Sequence, residues 1–409
     1  MFSFETETLI AVSLLLNLVL LAVLIANKWY DFKTKDQKHS AESNRNASSK
    51  FRESTFIDQF PNGWFRICFS NELSKGSSKL VHYFGEDMVV FRGFDGSVGV
   101  LDAYCPHLGS NLGVEGKVIG NNIQCPFHLW EFDRDGQCVK IPNNCDKSSC
   151  QHSENCNETI PKNAHTRSWY CEEKYGMILV WFHSEKEGLP PQYPLLNPQD
   201  LDMDKFYHFG NYSYEDIRMN IQDFAENSAD FQHFQPLHGQ MVLPWSGPRS
   251  IFGRSIQVPF VQIIHQAEFK LSDSDPHIAY FTNKACLEIF GKKLTSTTVN
   301  ARIELFGPAG IALFRFDGSF GRIYLFHTHS PKSKTNLDVG FVAYAEKKIP
   351  RLLVWYVVGN WVAQWQNDIT VWENKIYKRT PSLVKGDGPV MKLRRWYKQF
   401  YSKKIDLSF

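Results

Sequence analysis

Two short segments of the 409-residue chain carry metal-ligand chemistry: Cys105-Pro106-His107 and, beyond residues 108–124, Cys125-Pro126-Phe127-His128. Each half offers one thiolate and one imidazole. Two thiolates on one iron and two imidazoles on the other is the donor set of one kind of [2Fe-2S] cluster, a carrier of single electrons. Zinc accepts the same four atoms. Zinc fingers gather their two histidines late in the motif, whereas here each half mixes the donors, and that distribution favours the iron–sulfur cluster. Two hairpin tips are expected to present the pairs.

A second set lies downstream, where Asp230-Phe-Gln-His233-Phe-Gln-Pro-Leu-His238 puts two histidines after a helical stretch that Pro236 breaks. Two imidazoles and one carboxylate form the facial triad that holds non-haem Fe(II) and leaves positions open for dioxygen. Taken alone, such a pair is more often two ordinary surface or core histidines. The carboxylate must come from elsewhere in the chain. On a C-terminal helix, Gln364, Asp368 and Trp372 share one face with Trp361 and Trp365, where an acid is costly unless paired or metal-bound. Glu373, which turns from that face, and Asp387, in a Gly-Asp-Gly turn, are the rival acids.

The elements that must position these groups are legible in outline. Val89–Phe91 and Val98–Leu101 alternate with the turn signal Phe94-Asp95-Gly96, and Met177–Phe182 is a further apolar run, so antiparallel strands are expected. Between Ile141-Pro142 and Pro161 the composition shifts to Asn, Asp, Lys, Ser and Cys, an inserted loop over about 143–160. Prolines 190, 191, 194 and 198 mark a second boundary. Beyond it, Tyr214–Phe234 reads as helix, Phe252–Ala343 as strands, and Pro350–Tyr377 as a long helix opened by proline. Cys138, Cys145, Cys150, Cys156 and Cys171, with His152 and His165, are too irregularly spaced for zinc and read as free thiols.

With 45 Lys plus Arg against 43 Asp plus Glu, the net charge of +2 gives no electrostatic reason for nucleic-acid binding. At 43% apolar and 22% charged residues, the chain is neither disordered nor collagen-like. Leu9–Ala26 is apolar apart from Ser13 and Asn17, long enough for a membrane-spanning helix. Glu5 and Glu7 ahead of it argue against a cleaved signal, and Lys28, Lys33 and Lys35 behind it place the remainder in the cytosol. The expected order is an anchor over 1–30, a polar linker over 31–58, a first domain over 59–185 and a second over 200–409. The sequons at Asn46, Asn157 and Asn211 would then face the cytosol, unused.

Residues 62–142, with Cys105-Pro-His-Leu-Gly, Cys125-Pro-Phe-His-Leu-Trp130 and Asp135-Gly136, resemble the Rieske domain of the Rieske non-haem iron oxygenases. Leu129 departs from the glycine of many members. Rieske subunits of respiratory complexes carry an extra cysteine in each cluster loop; Ser110 and Phe127 stand there instead, and a disulfide cannot form. Asp230-x2-His233-x4-His238 resembles the oxygenases' iron motif, and Gln366–Trp372 the region of their third ligand. This resemblance implies iron on His233, His238 and Asp368, with Asp230 bridging the cluster of one subunit to the iron of the next in a head-to-tail homotrimer. It also implies an α+β architecture, an all-β Rieske domain followed by an antiparallel-sheet-plus-helices catalytic domain.

The tail Asp387–Tyr401 is similar to that shared by 3-ketosteroid 9α-hydroxylase oxygenases and the animal Neverland-type cholesterol 7-desaturases. The apolar run at the head favours the desaturases, which carry one N-terminal anchor. What this implies is conversion of cholesterol to 7-dehydrocholesterol for steroid hormone biosynthesis, at the endoplasmic reticulum membrane. O2 and electrons from NAD(P)H through a flavin or ferredoxin-type reductase would be consumed. A 9α-hydroxylase-like steroid hydroxylase and a membrane-anchored Rieske electron carrier are the alternatives.

Overall fold

The computed structural model describes residues 46–142, 160–185 and 189–402. The expected anchor, the start of the linker and Cys145, Cys150, His152 and Cys156 of the inserted loop lie outside them. Among the described residues no helix is long and apolar enough to cross a membrane.

The first half is built from three small antiparallel sheets. Met177–Phe182, buried at every position, runs between Gly63–Phe69 and Cys171–Lys174. A strand covered on both faces reads as one continuous apolar run, which is why this segment was visible in the sequence. Ser78–Tyr83, Glu86–Arg92 and Val98–Asp102 form the second sheet; Lys117–Ile119, Asn122–Gln124, Glu131–Phe132 and Cys138–Lys140 form the third.

The second half is an eight-stranded antiparallel sheet in which Gln257–Leu271, Ile278–Ile289, Lys292–Phe306, Ile311–Gly318, Gly321–Ser333 and Asn336–Glu346 follow one another as a meander. Phe206–Ile217 closes one edge beside Asn336–Glu346, and Gln240–Val242 the other. The helix Arg351–Trp372 lies over this sheet with Val358, Val362 and Trp365 buried. At Gly359 it meets Trp245: the Trp245 amide donates to the Gly359 carbonyl at 2.9 Å, and a Cβ at 359 would run into the indole.

Two helices differ from their expected spans. Tyr214–Phe234 is not one helix: the strand continues to Ile217, because Tyr214 and Ile217 pair with Val339 and Leu337 and complete the sheet edge. A short helix then covers only Ile221–Asn227, started by Asn220, which forms a capping box with Asp223. The long helix stops at Trp372 rather than Tyr377. The Arg52 guanidinium takes the carbonyls of Trp372 at 2.7 Å and Lys375 at 2.8 Å, so these terminal acceptors are satisfied without another turn.

One apolar core spans both halves, from Phe65 and Leu179 to Val339 and Trp365. Polar bonds cross it as well. Arg66 donates to Thr328 Oγ1 at 2.9 Å, and the Tyr83 hydroxyl donates to Asp338 at 3.0 Å.

Candidate metal centres and substrate cavity

Cys105 follows the strand Val98–Asp102 in a loop closed by the Tyr104–Asn111 bridge, and Cys125 starts the tip between Asn122–Gln124 and Glu131–Phe132. Only the second is a hairpin; the first joins two different sheets. Both tips are wound alike. The amide four residues after each cysteine donates back to its carbonyl, Gly109 to Cys105 at 2.9 Å and Leu129 to Cys125 at 3.1 Å. Those two residues have φ of +76° and +62°. Here is the physical reason that glycine suits position 129, where a leucine costs roughly 1–2 kcal/mol.

The tips bring all four expected ligands together, with the sulfurs inside and the imidazoles outside. Cys105 and Cys125 are buried, His107 is exposed and His128 half-buried. The two imidazole centroids are 4.5 Å apart, and His107 stacks on Trp130 at 4.4 Å. Burial pushes the Cys105 thiol up to about 11, against the His107 amide and with the help of neighbouring Cys125. A thiol raised in this way ionises when a cation takes the proton's place, and Cys105 with Cys125 beside it supplies the two sulfur donors of one iron. Cys138 and Cys171 are free thiols.

The second set converges at the end of the Ile221–Asn227 helix, where one wide turn over Phe234–His238 follows His233. The ligand atoms of His233, His238 and Asp368 all lie within 4.8 Å of one another. Each ring is oriented from behind. His233 Nδ1 donates to the Asp230 carbonyl at 2.5 Å, and His238 Nδ1 to Gln364 Oε1 at 3.3 Å, which turns both Nε2 atoms inward. Asn227 Nδ2 lies 3.2 Å from His233 Nε2.

Asp368 is 4% exposed, and its Oδ1 has no hydrogen-bond partner although it lies 3.3 Å from His238 Nε2. An orphaned, buried carboxylate oxygen facing two imidazoles is the donor set of a divalent cation, and the residues therefore fit an iron. Burial disfavours a charged His238, yet the Asp368 carboxylate, and after it Gln364, outweigh burial and raise its pKa. Burial lowers that of His233. The rival acids are occupied elsewhere: Glu373 receives Arg249 and the Arg218 amide, and Asp387 accepts from the Val384 amide at 2.7 Å. Asp230 sits at the rim, half exposed, its carboxylate 3.9 Å from His233 Nδ1.

The triad lines a cavity of about 400 Å³, walled chiefly by apolar side chains such as Phe281, Val299, Phe314, Phe316, Val357 and Trp361. Among the polar residues on its wall, His265 and Asn283 belong to no motif that the sequence displays. Asn283 Nδ2 lies 2.9 Å from His265 Nδ1, and His265 Nε2 lies 3.2 Å from the His238 carbonyl. Their signal was faint: each interrupts the apolar alternation of its strand, between Ile263 and Ala267 and between Phe281 and Ala285.

Residues 63–153 match the Rieske [2Fe-2S] domain, and residues 180–401 the 3-ketosteroid 9alpha-hydroxylase C-terminal domain. The chain belongs to the Rieske oxygenases that join these two domains, an all-β Rieske domain and a sheet-rich catalytic domain with few helices. It is an oxidoreductase with a Rieske cluster and a mononuclear iron, fed with electrons from NAD(P)H by a separate reductase.

Among its relatives is "Cholesterol 7-desaturase nvd 1" of Ciona intestinalis, 34% identical over 84% of this chain and 69% of the relative. "Cholesterol 7-desaturase nvd" of Drosophila melanogaster is 32% identical over 84% and 75%. A probable 3-ketosteroid-9-alpha-monooxygenase oxygenase component of Rhodococcus rhodochrous is 28% identical over 84% and 80%. The same fold occurs in dicamba monooxygenase bound to dicamba, with a TM-score of 0.55 at 19% identity over 84% of this chain and 98% of that one. Pseudomonas putida NdmB gives 0.57 at 19% identity over 82% and 89%.

Proposed function

We propose that the chain is a sterol 7-desaturase, converting cholesterol to 7-dehydrocholesterol. The observation that carries this reading is the apolar cavity lined by His233, His238 and Asp368, in a chain whose relatives include named cholesterol 7-desaturases. Its volume lies within the range of small-ligand sites. Its wall matches a hydrocarbon skeleton that offers no charge to complement.

In this reading Cys105 and Cys125 hold one iron of the cluster, and His107 and His128 hold the other at the edge open to a reductase. His233, His238 and Asp368 hold the mononuclear iron, which when bound supplies dioxygen activation. The remaining work is done by the chain's own groups. Gln364 and the Asp230 carbonyl fix the two rings, and the apolar wall excludes water and holds C7 and C8 of the sterol at the triad. Asp230 bridges subunits of a homotrimer. The balance is cholesterol, O2, two electrons and two protons in, with 7-dehydrocholesterol and two waters out. Residues 1–30 anchor the enzyme in the endoplasmic reticulum membrane with its catalytic part in the cytosol, in the domain order 59–185 and 200–409.

Mass analysis of the sterol after turnover with a reductase and NADPH tests the reading. A product lighter by two hydrogens is expected; one heavier by an oxygen would make the chain a steroid hydroxylase.

A further inference from the structure

The hairpin joining Ile278–Ile289 to Lys292–Phe306 carries a residue its geometry does not ask for. Ile289 and Lys292 close a two-residue turn in which Phe290 and Gly291 both have positive φ, at 49° and 77°. That turn type favours Asn-Gly, since asparagine and glycine enter the left-handed region readily. Phe290 is instead 77% exposed and stacks at 5.1 Å on Phe260, itself 69% exposed and at φ +62°. Two large aromatics are thus held in strained backbone and turned to the outside, which contributes nothing to the core.

Their position relative to the cavity gives them a use. Ile263 and Leu287 face each other across the two strands and line the cavity. Val261 and Ile289 lie two residues further along the same face, and the aromatic pair stands about 10 Å beyond Leu287, at ~3.3 Å per residue. The cavity lining also includes Tyr356, exposed beside exposed Leu352; the Tyr356 hydroxyl lies 3.7 Å from Met241 Sδ on the edge strand that pairs with Gln257 and Gln262, the residues flanking Phe260. Exposed Lys292 and Lys293 follow the turn, with Lys284 behind them and Glu288 as the one acid between Lys284 and Lys293.

We propose that Phe260 and Phe290 insert into the lipid bilayer at the mouth of the cavity, with Lys292 and Lys293 on anionic headgroups, so that the sterol passes from membrane to cavity without crossing water. The proposal rests on the sterol reading for its purpose. Its physical case is the apolar continuity from tip to triad and the positive rim around an exposed aromatic pair, the composition of an interfacial anchor. The apolar run Leu9–Ala26 supplies the sequence-level reason for a bilayer to be near.

The test uses full-length holoprotein in phosphatidylcholine–phosphatidylserine vesicles containing cholesterol, with Phe290→p-benzoylphenylalanine as a photo-crosslinker. Lipid adducts are expected at 290 and none when the probe replaces Asp135. Adducts to a second copy or to the reductase, or no lipid adduct, would overturn the proposal. A kinetic arm uses F290N, which suits the turn and so keeps the fold. KM for vesicle-borne cholesterol should rise roughly tenfold, while kcat and the KM for cyclodextrin-delivered cholesterol stay within about twofold. Equal effects in both delivery modes would count against lipid insertion. If the unaltered enzyme turns over no sterol, the functional reading fails, and the crosslinks still decide what the patch touches.

Discussion

Gln364 and Asp368 stand one helical turn apart on the same buried face, and they act on His238 from opposite sides. Asp368 is the ligand in our reading and Gln364 the orienting residue. Asp368→Ala should therefore remove the mononuclear iron and abolish turnover while the electron paramagnetic resonance of the reduced cluster is unchanged; retained turnover would mean a different carboxylate. Gln364→Leu should keep the cluster signal and lower iron affinity by roughly 10–100-fold, measured by metal titration of the protein stripped of its mononuclear iron. At the same scale, His327 and His329 are fully buried, and His327 has neither ring nitrogen bonded. Burial pushes His327 far down and His329 to about 3. Both are neutral in the fold, whereas the unfolded chain takes up protons below about pH 6.5, so stability must fall as pH drops from there towards 3. His327→Phe should flatten that acid limb in thermal melts recorded between pH 7 and 4.5; an unchanged slope would assign the acid loss to other groups.

At the scale of elements, the C-terminal helix Val390–Tyr397 explains why the tail carries so much of the family resemblance. Arg394 grips both oxygens of Glu226 at 2.9 Å and the Lys378 carbonyl at 2.6 Å; Trp396 donates to the Pro276 carbonyl, and Tyr397 to that of Pro308. Glu226 precedes Asn227, which meets His233, so the tail fixes the helix that presents the iron site. Removing one partner of a buried pair strands the other, and Arg394→Met should cost roughly 3–5 kcal/mol in denaturant unfolding. A loss below about 1 kcal/mol would mark the pair as dispensable. Such long-range ties also show what the sequence could and could not reveal. The cluster tips and the strand Met177–Phe182 are local patterns and were readable as such. The edge strand through Ile217 was not, because what makes Tyr214–Ile217 extended is its pairing with Leu337–Val339, more than a hundred residues away. The Asp368 face was readable from helical spacing, whereas His265 and Asn283 acquire meaning only when two strands stand side by side.

For the whole molecule, the issue is how electrons cross between centres on two different domains. The cluster's imidazole edge faces outward on the first domain, with Leu108, Phe127 and Leu129 exposed around it. The iron site lies in the second with His238 and Asp368 buried, and Asp230 beside His233 is half exposed. Both ends of the path thus reach the surface, which suits a contact between copies of the chain; a head-to-tail interface that closes gives a ring. In the proposed homotrimer, a chain unable to hold the cluster and a chain unable to hold the iron should repair each other. Cys105→Ser and Asp368→Ala proteins, each inactive alone, should regain turnover when co-expressed, because some interfaces then juxtapose an intact cluster with an intact iron. Asp230→Asn on the iron-competent chain should abolish that rescue while leaving its iron content intact. Light scattering would show whether the mixed species has three chains, and the absence of rescue in a confirmed mixed trimer would place the electron path within a single chain.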